Sequence, residues 1–316
     1  MNLITPTTLR EEILGQFPIL DRDTHVYRSM EEAVEDALRR SFKDINFRTM
    51  SATKANNSIK KILNQINGSR KIKNFDIETV QDKQEKIIIK RLIDRLNDKS
   101  LAYDDCKISE YLIVYLIDNG FVDLFVDYFN CHTYKSEADF DEWHHISADM
   151  FLTVLQKYYH KANYGKAQKI INMMFKHLYC MNFGEESAWQ VLDEGYFQYC
   201  HMPLDSFTLD WLYRKDGIAV CEWSNLDYVH STMKPSTCYN DYVDRVRKLF
   251  PLLSLTAFQA EFYIWPQMQI TQALETIYRL NHNKSAVTTF IGFPITKKCS
   301  EMVLELAGMS FAKTFI

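Results

Sequence analysis

Apolar residues recur three and four positions apart along most of this chain, the spacing of one face of a helix. In 78–98, ETVQDKQEKIIIKRLIDRLND, the stripe is Ile87, Ile88, Leu92, Ile93 and Leu96. Segment 29–42, SMEEAVEDALRRSF, carries acids early and Arg39 and Arg40 late, which suits the helix dipole. Segment 109–129, SEYLIVYLIDNGFVDLFVDYF, is apolar almost throughout and broken at Asn119-Gly120, which predicts a buried helical hairpin. Further helices are expected over 147–162, capped by Ser147, over 165–181, and from Asp205 onward. Others are expected over 239–250 and 255–265, the second broken by Pro266, and in the tail beyond the Pro294 turn. GIAVCEW, 217–223, is the one good strand candidate, and it reads equally as buried loop. The pattern predicts a mainly α protein with at most a minor strand element. A boundary near 100–108 would divide an N-terminal helical lobe, 1–105, from a helical region, 106–316.

Composition narrows the class. The chain has 316 residues, 47% hydrophobic and 25% charged, as in a soluble globular protein with ample core. A net charge of -4 argues against indiscriminate coating of nucleic acid but permits a local basic face. Between Lys43 and Lys99 basic residues outnumber acidic ones by about seven. Lys60, Lys61, Arg70, Lys71 and Lys73 are the candidates there for a DNA-facing surface, against the alternative of a merely solvated helical face. No apolar run approaches the roughly 20 residues needed to span a bilayer, and the start lacks a secretory pattern. Seven cysteines without framework spacing fit a reducing compartment, so a cytoplasmic protein is expected.

Candidate chemistry concentrates in two stretches. YGKAQKIINMMFKHLYC opens at Gly165 and places Lys166 and Lys169 in the first turns of a helix. Free backbone N–H groups at such a start bind phosphate, and a glycine lets a phosphodiester approach closely. CHMPLDSFTLDW places Pro203 two residues before Asp205, which caps the next helix by accepting from the Thr208 N–H.

In this order the two stretches resemble the helix-hairpin-helix superfamily of DNA glycosylases. There, a hairpin ending in glycine precedes a helix with a catalytic lysine, and a proline-containing loop supplies an aspartate at the start of another helix. The wording AQKII and PLD looks closest to the archaeal 8-oxoguanine glycosylase branch, and the resemblance covers about residues 160–213. The superfamily's L-P-G-x-G hairpin is replaced by YHKANYGKAQK, and the four-cysteine iron–sulfur loop of some members is absent, so no cluster is expected.

The resemblance implies a two-lobed helical architecture and cleavage of an N-glycosidic bond in double-stranded DNA. The base would be 8-oxoguanine or a bulky modified base such as phage DNA carries, which would make this a defence enzyme. Asp205 would stabilise the oxocarbenium-like sugar and orient or deprotonate the nucleophile. Lys169 would attack C1′ and permit a lyase step, or else face a phosphate and leave the attack to water. The flipped base would enter a pocket for which His201, Trp211, Trp189 and Tyr199 are the candidates, with Tyr196 and Phe197 close by in sequence. The plain alternatives are an N-cap for Asp205, a surface position for Lys169, a hydrogen-bonded loop histidine for His201 and core positions for the aromatics.

Rival chemistries have less to stand on. Cys131-His132, Cys200-His201 and His144-His145 lack the paired spacing of zinc ligands, so no metal is expected. Walker A, GxGxxG and nucleophile-elbow sequences are missing, and no cofactor or obligate protein partner is inferred. Glu261, inside an apolar helix, reads as a buried hydrogen-bonding partner. The alternative to an enzyme is an α-helical nucleic-acid-binding or interaction protein; a metal-dependent nuclease is a third reading.

Overall fold

A computed structural model describes residues 25–44, 77–97, 108–131, 136–158, 162–183, 194–217, 221–228, 238–250 and 255–282. Lys60, Lys61, Arg70, Lys71, Lys73, Trp189 and the tail beyond Pro294 lie outside the described residues. The described residues form nine α-helices: α1 (Met30–Asp44), α2 (Lys83–Asn97), α3 (Ile108–Asp118), α4 (Phe121–Asn130), α5 (Glu137–Tyr158), α6 (Tyr164–Cys180), α7 (Ser206–Asp216), α8 (Tyr239–Leu249) and α9 (Ala257–His282). The protein is mainly α, as the periodicity predicts.

α6 is the centre of the fold: fourteen of its seventeen residues are buried, so it meets neighbours on every side. α1 packs along it most extensively, through the small residues Ala33 and Ala37 beside Val34 and Leu38, all fully buried. Small side chains let two helix axes approach closely. The Tyr27 N–H donates to Asn182 O at 3.0 Å and ties the chain ahead of α1 to the end of α6. Arg39 of α1 and Arg95 of α2 both pair with Glu110 of α3. Phe125, Tyr128, Phe140, Trp143 and Phe175 then interlock as an aromatic centre between α4, α5 and α6. One continuous core runs from Tyr27 to Met268 and takes residues from both sides of 100–108.

Three local expectations need correction. Ser147 is not a cap: α5 begins ten residues earlier, where Ser136 Oγ accepts from the Asp139 N–H at 3.1 Å. The Ser147 hydroxyl instead donates to Trp143 O at 2.8 Å inside the helix. Pro266 does not end α9, which continues to His282. An interior proline costs about 3 kcal/mol, and the buried Phe258, Phe262, Ile264 and Met268 on either side of it offset that cost. In α2 the buried face is Ile88, Ile89 and Leu92, while Ile87 is exposed. Of the 217–223 segment, 218–220 lie outside the described residues; Gly217 adopts φ 68° and closes α7, and a 3₁₀ turn runs over Trp223–Asn225. Among the described residues the only strand-like pairing is an isolated bridge between Asp227 and Cys238.

The break at Asn119-Gly120 falls where expected. Gly120, at φ 80°, separates α3 from α4 in a left-handed turn that favours glycine. No helix among the described residues is long and apolar enough to cross a membrane.

Candidate functional site

The loop 201–205 is buried throughout and delivers Asp205 to the start of α7. Asp205 Oδ1 accepts from the Phe207 N–H at 2.9 Å and the Thr208 N–H at 3.1 Å, while Thr208 Oγ1 accepts from the Asp205 N–H at 2.7 Å. This reciprocal capping box satisfies three otherwise orphaned donors. Thr208 Oγ1 also donates to Pro203 O at 2.9 Å, so the proline's carbonyl helps to lock the loop.

Asp205 Oδ2 faces away from the cap. It lies 3.3 Å from Lys169 Nζ and accepts from Trp265 Nε1 at 3.1 Å. The two motifs, 36 residues apart, therefore meet in one ion pair whose side chains are 13% and 8% exposed. Lys169 Nζ also lies 4.8 Å from the centre of the Trp223 ring, a cation–π contact that adds to the pull of the carboxylate.

Gly165 serves a different close approach from the phosphate contact expected of it. A Cβ there would lie 2.0 Å from Trp223 O, and the Gly165 N–H donates to Leu226 O at 2.9 Å. The chain's own 3₁₀ segment fills the space a phosphodiester would need. Lys166 is half-buried in the same first turn, its N–H bonded to Asn163 O at 3.0 Å.

Two turns along α6 a second pair forms. Lys176 Nζ lies 2.5 Å from Glu261 Oε2, and Glu261 is 1% exposed. Burial pushes the Glu261 carboxyl upward, and Lys176 opposes this in part. Glu261 is thus the buried partner its apolar context predicts. Lys176 also lies 4.9 Å from the Phe262 ring and 5.6 Å from the Trp265 ring.

The base-pocket candidates among the described residues, His201, Trp211 and Tyr199, are engaged elsewhere than at the Lys169–Asp205 pair. His201 is buried with both ring nitrogens engaged: Nδ1 with Tyr239 OH at 2.9 Å, Nε2 with Asp141 Oδ1 at 2.6 Å. It is the hydrogen-bonded loop histidine, with no ring nitrogen left to read a base. Trp211 stacks on Phe250 at 5.8 Å. Tyr199 contributes its carbonyl to Arg247, Tyr196 its carbonyl to Tyr128, and Phe197 belongs to the core. A cavity of about 10 Å³ lies beside His201, Leu204 and Arg247, room for one water at most. Its lining includes neither Lys169 nor Asp205.

His201 belongs to a buried polar network that supports the site from behind. Arg247 grips Asp141 through two nitrogens at 2.8 and 2.9 Å. Asp141 holds His201, His201 meets the Tyr239 hydroxyl, and Asn172 donates to that hydroxyl at 2.9 Å. His144 lies between Tyr164 OH at 3.1 Å and Asn172 Oδ1 at 3.0 Å. Asn172 also donates to Gln168 Oε1, and Gln168 Nε2 donates to Leu204 O at 2.9 Å, next to Asp205. Burial pushes the titrations of His144 and His201 down and those of Tyr164 and Tyr239 up. Burial also raises Asp141, but the bonds from His201 and Arg247 outweigh it and hold this carboxyl far below its usual range.

Of this network only His201 is a sequence candidate for the site; Asp141, Arg247, Tyr239, Asn172 and Gln168 are not, nor are Lys176 and Trp265. Gln168 and Asn172, polar residues four apart within an apolar helix, are the signal that marks such a network. Among the described residues no group of three or more His, Cys, Asp or Glu side chains is placed to hold a metal ion. These features define a helical protein with a nearly closed lysine–aspartate pair at the starts of two helices. No family model matches the chain, and neither a curated protein nor a solved structure matches it.

Proposed function

We propose that this chain is a cytoplasmic DNA N-glycosylase that excises a damaged or modified base, 8-oxoguanine or a bulky phage base, with Asp205 and Lys169 as its reacting groups. The observation that carries the reading is the 3.3 Å contact between Lys169 Nζ and Asp205 Oδ2. Cleavage at C1′ needs an anion for the developing sugar cation and a nucleophile within reach of the same carbon. An amine and a carboxylate in contact can serve one atom together.

In the hydrolytic route water attacks C1′, the N-glycosidic electron pair leaves with the base, and the water proton passes to the solvent or the base through Asp205. In the lyase route Lys169 gives its proton to Asp205, the neutral amine attacks C1′ and the base leaves with the N-glycosidic electron pair; the sugar opens to an imine, which loses a 2′ proton as the 3′ phosphate departs. The reading expects the two-lobed arrangement of the helix-hairpin-helix glycosylases, with the 43–99 basic stretch as a phosphate-facing surface. Gly165 has no part in it.

The test incubates wild type and Asp205→Asn with DNA from unmodified and modified-base phages and with oligonucleotides containing 8-oxoguanine, followed by alkali. Alkali-dependent breaks are expected from wild type, reduced at least about 100-fold in the variant. Asn caps a helix about as well as Asp, so the start of α7 is kept, and circular dichroism checks that the variant folds with Lys169 unpaired. Breaks without alkali that disappear in Lys169→Gln identify the lyase route. A second reading, a helical binding protein in which Asp205 only ties α7 to α6 and α9, is favoured by the four donors that already occupy its carboxylate. Absence of breaks on every DNA selects it.

A further inference from the structure

We infer that Trp265 is a positioning residue for the Asp205 carboxylate, an assignment that rests on the glycosylase reading for its catalytic consequence but not for its geometry. The two donors on Oδ2 differ in kind. Lys169 reaches it on a flexible four-carbon stem and must leave it to attack a sugar or meet a phosphate. The Trp265 indole is rigid and neutral, and it stays.

Trp265 itself has two further contacts. Its ring packs edge-on against Phe207 at 5.5 Å and 72°, and Phe207 is the residue whose backbone N–H holds the other carboxylate oxygen. Lys176 also lies 5.6 Å from the indole, and Lys176 is anchored by Glu261, one helical turn before Trp265 on α9. The buried Lys176–Glu261 pair, which takes no part in the proposed reaction, thus holds the tryptophan that aims the aspartate. One carboxylate oxygen is set by the start of α7 and the other by α9. When Lys169 moves away, the indole N–H preserves the direction of Oδ2 and keeps it from collapsing onto the helix terminus.

The test is spectroscopic first and kinetic second. The protein has five tryptophans, so its indole ¹H–¹⁵N spectrum is small enough to assign. Trp265→Phe identifies the Trp265 signal; should that variant not fold, single changes at the other four tryptophans identify it by elimination. The signal is expected downfield, as for an N–H bonded to a carboxylate, and to move upfield in Asp205→Asn. A Trp265 signal unmoved by Asp205→Asn overturns the assignment. In the base-release assay, Trp265→Phe is expected to lower kcat by about 10- to 100-fold, the worth of one hydrogen bond to a charged group, with KM changed less than about threefold. Full kcat in the folded variant overturns the catalytic consequence. A wild type that releases no base while its Trp265 signal still responds to Asp205→Asn refutes the glycosylase reading and leaves the positioning contact established.

Discussion

At the scale of single residues, the position that most constrains the site is Gly165, because it decides how closely α6 meets the Trp223–Leu226 segment beneath Lys169. In an open helix Gly→Ala would stabilise by about 1 kcal/mol. Here the new Cβ would meet a backbone carbonyl at 2.0 Å, and backbone cannot swing aside as a side chain does. Overpacking of this kind costs about 1–3 kcal/mol. Gly165→Ala is therefore expected to lower unfolding free energy in urea despite the better propensity, and to displace Trp223 from Lys169. An unchanged or higher midpoint would show that the segment yields freely.

At the scale of elements, α7 carries Asp205 and is bounded by two caps of different character. Its start depends on side chains, the reciprocal bonds of Asp205 and Thr208. Its end depends on backbone conformation, Gly217 at φ 68° with its N–H bonded to Tyr213 O at 2.8 Å. A Cβ at Gly217 would meet nothing within 4 Å, so Gly217→Ala incurs only the left-handed strain of about 1 kcal/mol. Thermal unfolding should show that modest loss, with base release retained because the site lies at the other end of the helix. Thr208→Val keeps the shape but removes the hydroxyl that ties the Asp205 and Pro203 backbones. It is expected to cost about 1–3 kcal/mol, since a buried N–H loses its acceptor, and to reduce base release by loosening Asp205. Equal activity in the valine variant would show that the carboxylate needs no such support.

For the molecule as a whole, the buried network makes stability depend on pH. The unfolded chain protonates His144 and His201 near pH 6.5, whereas in the fold burial delays both to lower pH. Below pH 6.5 the unfolded state therefore binds more protons, and stability falls on acidification by up to about 1.4 kcal/mol per pH unit for each histidine until the folded ring itself titrates. Asp141 acts in the same sense lower down: its folded titration lies below 3.8, so its contribution is complete above that pH and lost beneath it. Glu261, raised above 4.5, acts oppositely, losing stability as pH rises from 4.5 through its folded value. Urea unfolding between pH 8 and 5 should be level down to about pH 6.5 and fall below it, and His144→Gln should leave only the His201 share of that fall. A profile flat from pH 8 to 5 would mean that the two imidazoles are not held neutral.

Local order was the most legible part of the sequence. The helical period, the acid-first and base-last bias of α1, the Asn119-Gly120 break and the Asp205 cap depend on residues within a turn or two of one another, and short-range sterics and hydrogen bonds act over that distance. The same reasoning singled out Lys169 and Asp205 as types, because a charged residue at a helix start is visible without a fold. Tertiary structure decided the rest. Pro266 reads as a terminator and Ser147 as a cap until burial on both sides outweighs local preference. Gly165 reads as a phosphate contact until Trp223, 58 residues later, occupies the space. His201 and Trp211 read as pocket residues until Asp141 and Phe250 claim them, while Trp265 gains its meaning only when α9 lies across the start of α7. Sequence determines which groups are available, since that is local chemistry; which of them meet is decided by the packing of α6, α7 and α9, where every contact depends on residues far apart in the chain.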